Sequence, residues 1–456
     1  MKTVLKPALL AAAIAAAVAT GTATSAASNT AAASADAVVS EQRQVGAFTA
    51  IEISGPYRVN VQAQSRNAVS LKGQRSELEN IETFMRGDTL VVRPRPRYGF
   101  FFSWGRKQDT VEISISAATL KSLKNGGSAE VSVSQLSGDK VALSNDGPGE
   151  LVASGAVRDL SVRSSGSGDV DLRKVAAANL ALAMSGPGDV HVSGVGNELT
   201  ATVSGSGDLE ADNLHLARFI ATVSGPGNVT ASGSARELRA EVTGSGDLEA
   251  CSLSAEVVRT LQRGPGNACV AGTIKQFDAE VHGSGDLSVR GLQAQSSKVR
   301  LSGPGEATLA GTTSELTAEV SGSGDLNAES LSVAKALVKG HGPGSIHLSK
   351  VTDTLDGELH GSGDLHAAMA GKRLLLRMSG PGGAIIDGTV EQVSAQLSGS
   401  GNLEGRHLQA ARAEIDVRGP GSAAVNVEPK ADKRAARAGS QLLVVERNSR
   451  RYTTVE

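Results

Sequence analysis

A Gly-Ser-Gly or Gly-Pro-Gly motif, opening in the variant form Gly127-Ser128-Ala129, returns sixteen times between Gly127 and Gly419, in steps of 19 or 20 residues. Its middle residue alternates between Ser and Pro at every step, and no insertion breaks the register. One such repeat cannot bury its apolar face alone, so the repeats must stack on one another. The predicted fold class is all-β: a right-handed parallel β-helix, or β-solenoid, of about 16 rungs of 19–20 residues with an N-terminal β cap.

Each place in the motif has a chemical demand. Gly186-Pro187-Gly188 suits a type II turn, with Pro setting φ near −65° and the following Gly supplying φ > 0. Gly205 and Gly207 carry the same demand around Ser206. The next residue is usually Asp, Asn or Glu, whose short acceptor can bond turn amides. Leu or Val follows, as at Val170, Val190, Leu209, Val229 and Leu248, and a second apolar row stands two residues before the motif, at Val203, Val223, Val242, Val281 and Val320. Both rows are expected to point inward, which places the turn between two strands.

The true repeat is a pair of rungs. After a Ser-type turn the next apolar anchor falls nine residues on, as at Leu214, Leu253, Leu292 and Leu331. After a Pro-type turn a second Gly sits eight residues on, as at Gly155, Gly194, Gly233, Gly272, Gly311 and Gly388, and the anchor waits until the thirteenth residue. A 39-residue unit repeated in tandem accounts for this.

Outside the repeats the texture changes. Residues 1–27 read as a secretory signal, with Lys2 and Lys6, an apolar run, and small residues suited to cleavage. Residues 28–37 form an Ala/Ser linker, and 38–124 an N-terminal cap with alternating strands such as Arg58-Val59-Asn60-Val61. Residues 125–427 are the repeat solenoid, and 428–456 a tail with possible closing strands. Apart from the leader, no run is long and apolar enough to be a membrane helix. The expected location is therefore exported: periplasm, outer-membrane surface or cell exterior. Fifty-four Gly and few aromatics fit a slender interior, and a net charge of −2 without a basic face argues against nucleic acid as partner.

The stretch Phe48-Thr-Ala-Ile-Glu-Ile-Ser-Gly-Pro-Tyr-Arg-Val-Asn-Val61, followed by Leu90-Val-Val-Arg93, Val111-Glu-Ile-Ser-Ile115 and the glycine repeats, resembles the GIN domain family. The resemblance runs over about residues 40–427, with many more repeats than a typical member. It implies an exported β-helix-like adhesin head and no catalytic residues.

Chemical constellations are sparse. The Asp row at Asp169, Asp208, Asp247, Asp286, Asp325 and Asp364 could suggest calcium, but the intervening turns often carry Asn, Ser or Gly. Turn-bonding Asp is the favoured reading. His341 and His360 precede their motif glycines and His347 and His366 follow theirs by five, so each pair should stack across adjacent rungs. Without third and fourth ligands they are weak metal candidates, so no metal site or cofactor is assigned. Cys251 and Cys269 lie in adjacent rungs; a disulfide is geometrically conceivable, and separate thiols are favoured. No unique acid pair or Ser/His/Asp set supports an enzyme.

The segment from Arg93 to Lys107 is expected to be a loop in which Arg95, Arg97 and Arg106 surround Tyr98, Phe100, Phe101, Phe102 and Trp104. It would either bind envelope polysaccharide, a surface glycan or lipid headgroups, or plug the open end of the solenoid. The functional expectation is an exported, non-enzymatic envelope adhesin or scaffold; the alternative is a carbohydrate-binding or polysaccharide-cleaving β-helix.

Overall fold

A computed structural model describes residues 37–63, 66–96, 110–428, 441–446 and 449–452. The leader at 1–27 and the aromatic cluster from Arg97 to Arg106 lie outside these residues. The described chain is all-β, a parallel β-solenoid of about 15 turns. Its one short helix, α1 (Arg75–Leu78), buries Leu78. The expected 16 motif turns and the 15 coils agree as bounds and intervals do.

The head builds its coils out of chain order. It comprises β1 (Val38–Arg43), β2 (Ala50–Ile53), β3 (Arg58–Ala63), β4 (Ala68–Gln74), β5 (Ile81–Arg86), β6 (Thr89–Pro94), β7 (Glu112–Ala117) and β8 (Ser122–Asn125). The alternating pattern of β3 buries Val59, Val61 and Ala63 and exposes Arg58, Asn60 and Gln62, as period-2 geometry requires. β2 lies between β6 and β8, all parallel, and β3 lies between β7 and β9 (Glu130–Asn145). β2 and β3 are thus second in the stack although they come early in the chain, and β6–β7 form the outermost coil. Its outer edge pairs antiparallel with β5 and β4, and β1 adds to β4. Antiparallel strands end the pattern that another coil would copy. The opposite end closes in the same way, with Gln441–Glu446 antiparallel to Ser422–Val427 and Ser449–Tyr452 antiparallel to Glu414–Val417.

In the body a coil is a sharp bend followed by one long strand, except that the coil after Gly186 is split into Val190–Ser193 and Glu198–Val203. β10 (Leu151–Ser164) and β11 (Val170–Met184) set the form, and later coils repeat it to Leu403–Val417. The long strand of the coil at Leu209–Val223 turns seven side chains inward: Leu209, Ala211, Leu214, Leu216, Phe219, Ala221 and Val223. Burying a Val, Leu or Phe fully contributes roughly 1.5–3 kcal/mol, so the small cross-section is held by many repeated contributions.

The glycine chemistry differs from the expected type II turn. No motif glycine, Gly186, Gly188, Gly205 and Gly207 included, has φ in the left-handed region. Glycine is required there because successive bends lie directly on each other. A Cβ on Gly207 would stand 2.1 Å from the carbonyl oxygen of Gly188, and one on Gly205 would stand 2.1 Å from that of Gly186. Positive φ belongs instead to the second glycine of the Pro-type coils, such as Gly233 at +121° and Gly311 at +132°. Gly233 faces Leu214 across the ladder, and Gly311 stands between Leu292 and Leu331. Large and absent side chains alternate up this corner, the physical reason for a two-rung repeat.

Candidate functional site

The bends form a ledge along the solenoid, and the residue after each motif builds a hydrogen-bonded column on it. The backbone N–H of Asp189 donates to Oδ1 of Asp169 at 2.9 Å, and that of Asp208 to Asp189 at 2.8 Å. The column continues through Asn228, Asp247, Asn267 and Asp286 to the N–H of Glu306. Each short side chain reaches the amide of the next coil rather than its own turn. The column stops at Glu306, whose carboxylate accepts from the Thr308 hydroxyl instead, and farther on Asp325 accepts from Ser345 and Asp364 from Gly383 as separate links. Among the described residues, no three His, Cys, Asp or Glu side chains are grouped to hold a metal ion. The side chains bond amides, as expected, but those of the neighbouring coil and not those of their own turn.

Histidines flank this ledge on both sides. His341 stacks on His360 with ring centroids 5.2 Å apart and planes 6° apart. His347 stacks on His366 at 4.7 Å and 10°. The two pairs are differently held. His360 meets Ser379 through Nδ1 at 2.5 Å and Glu358 through Nε2 at 3.1 Å. The hydrogen bond from His360 holds the Glu358 carboxyl below its ordinary range, with Lys339, His360 and Arg377 adding favourable charge.

Cys251 and Cys269 form a disulfide between adjacent coils, with Cα atoms 5.2 Å apart. The expectation of separate thiols is thereby corrected. Side chains seven and five residues past their motifs come together because the strand register slips between Ala250 and Ser254, which residue counting does not reveal. The coil that carries Cys251 also has an imperfect core: Gln262 and Thr260 take inward places, and Gln262 Oε1 and Thr260 Oγ1 have no partner.

Sequence reasoning also missed the buried amides at the first bends. Asn125 Nδ2 donates to the Ala129 carbonyl and to Asn145 Oδ1, each at 3.0 Å, and Asn145 Nδ2 donates to Gly149 O at 2.8 Å. These residues occupy the inward row held elsewhere by Val, so the signal was a polar break in that row. In the head, burial pushes the Tyr57 phenol up to about 12.

The outer faces carry ion pairs across coils. Arg300 meets Glu280 at 2.7 Å and Glu319 at 3.9 Å, and Arg259 meets Glu237 at 2.9 Å. An open groove of about 710 Å³ runs over several coils past Lys121, Asp159, Asn179 and Asn197. There Asn179 donates to Asp159 and Asn197 to Asn179, both at 2.7 Å. Of the expected aromatic-basic site, Arg95 is exposed at the end of β6, while Arg93 is held by Glu82 at 3.0 Å and lies over the Phe84 ring.

A family model described as "Putative auto-transporter adhesin, head GIN domain" matches residues 47–230, 195–291, 271–368 and 352–443. The chain belongs to the GIN-domain family. Its four overlapping matches run through the solenoid body, so this GIN protein carries the family pattern several times over. No curated protein matches its sequence. Solved structures resemble it at low identity. A "putative adhesin" from Bacteroides fragilis is 14% identical over 66% of this chain and 95% of that one, with a TM-score of 0.23. A "putative adhesin" from Parabacteroides distasonis is 17% identical over 64% and 96%, with a TM-score of 0.35. A "putative lipid binding protein" from the same species is 15% identical over 64% and 96%, with a TM-score of 0.29. None of these three likenesses bears on what the GIN protein binds.

Proposed function

We propose that this GIN-domain protein is an exported, non-enzymatic adhesin or scaffold of the cell envelope. The observation that carries this reading is the continuous parallel stack whose exterior repeats the same bends, amide column and ion pairs from coil to coil. A repeated surface suits multivalent contact or spacing; catalysis needs a singular set of groups. Coils ~4.8 Å apart give about 15 turns a length of roughly 70 Å. The described helix is too short to cross a membrane, and the leader-like residues 1–27 supply the motive for export.

Cell fractionation with surface proteolysis tests the location, and binding of the purified chain to envelope fractions tests adhesion. Recovery in the envelope with saturable binding is expected. Recovery only in the cytoplasm, or turnover of the bound polysaccharide, would overturn the reading. Trp104→Ala with Phe101→Ala tests the aromatic segment as the adhesive element, with unchanged melting and weakened binding expected.

A further inference from the structure

The seam between the coils Ile346–Leu359 and Leu365–Met378 lacks one link of the amide column. Ser345 offers no acceptor to the Asp364 N–H, so the amide column is open there. Inward places filled elsewhere by Val or Ala are taken nearby by Gly340 and Gly357. At this seam His347 and His366 are direct ladder partners, stacked at 4.7 Å. Among the described residues neither imidazole has a hydrogen-bond partner, unlike His360, whose two ring nitrogens are engaged by Ser379 and Glu358.

We propose that His347 and His366 form a two-imidazole site for a divalent transition-metal cation that clips these two coils together. Imidazole nitrogen suits Zn²⁺, Cu²⁺ and Ni²⁺. Metal–nitrogen bonds of about 2.0–2.1 Å place two coordinating nitrogens about 3 Å apart. Their lone pairs lie in the ring planes, so the two stacked rings, 4.7 Å apart, must turn about χ2 out of the stack to converge on one ion, and both are only half-buried, which leaves room for that turn. Their backbones are fixed by the ladder, so little ordering is left to the binding step. The described residues add no third protein ligand, so water completes the coordination shell and the affinity is modest, in the micromolar range. Binding to the folded pair alone stabilises the seam by mass action.

The test uses the full chain, titrated with Cu²⁺ or Ni²⁺ and followed by calorimetry, melting and, for Cu²⁺, electron paramagnetic resonance. One ion with coupling to two nitrogens is expected, together with a rise in Tm. His347→Ala and His366→Ala should each weaken binding at least tenfold and abolish the rise. Both positions are on the surface, and circular dichroism checks that the variants stay folded. The double variant His341→Ala/His360→Ala should bind as the parent does. Wild-type affinity in His347→Ala, coupling to one nitrogen only, or loss of binding in the His341/His360 variant would overturn the site.

Discussion

The head and the body solve the same stacking problem with different means. In the body each coil lies on its predecessor in chain order, and every bend must have the same shape as the one beneath it. In the head, β2 and β3 are inserted between strands that come later, and antiparallel β1, β4 and β5 finish the edge. Repetition therefore makes the body intolerant of side chains at the bends, whereas the head tolerates irregular spacing because it is built once. Gly87 in the head has φ +64° and nothing within 4 Å of an added Cβ, whereas Gly207 has ordinary φ and no room at all.

That contrast can be broken most sharply at these two glycines. Gly207→Val should destabilise by more than about 3 kcal/mol through forced separation of the bends, while Gly87→Ala should cost only about 1–2 kcal/mol for a left-handed backbone. Thermal or urea unfolding measures both. Equal losses would mean that the bends can part to admit a side chain.

The bridge is the next largest effect. Cys251→Ser, or reduction by a dithiol, should lower stability by roughly 2–3 kcal/mol, as expected for closing a short loop. Hydrogen exchange should place the loss around Gln262 and its orphaned oxygen and leave the head protected. Uniform loss through the chain would show that the body has no local weak coil.

A smaller difference separates Asp208→Ala from Asp208→Asn. Alanine removes the acceptor that takes the Asn228 N–H and should cost about 1 kcal/mol. Asparagine keeps the oxygen, and its melting curve should nearly overlay that of the parent. If Asp208→Asn loses as much as alanine, the negative charge matters more than the column.

The smallest effect is expected in acid. The hydrogen bond from Arg173 holds the Asp171 carboxyl below the usual Asp range, with the Arg173 charge reinforcing it against desolvation. A depressed folded-state pKa gives stability that is present above the unfolded Asp value and is lost as pH falls through the folded one. Arg173→Ala should therefore melt lower at neutral pH and converge with the parent in strong acid. The pair is largely exposed, so solvent screening keeps the difference slight. An undiminished gap in acid would assign the effect to packing.

Much of this molecule can be read from particular residues. The spacing of Gly205, Gly225 and Gly244 predicts the coil length, Leu214 and Gly233 announce a two-rung unit, and the four histidines fall into the two stacks that their offsets imply. Less could be read where two backbones meet. Counting from the motif placed Cys251 and Cys269 near each other but could not foresee the register slip that joins them. The Asp residue after each motif was legible as a turn acceptor, though not that its donor lies in the next coil.

The sequence by itself determined the period, the inward rows and the alternation of Ser-type and Pro-type coils, because these follow from local spacing and side-chain polarity. Only the tertiary structure decided why the bends need glycine, which strands end the stack, and where β2 and β3 sit within it. Those features depend on contact between segments 19 or more residues apart, as where Gly207 meets Gly188 or β2 meets β6 and β8. A glycine chosen for φ and one chosen for the absence of a Cβ are the same letter in a chain. The neighbouring coil tells them apart.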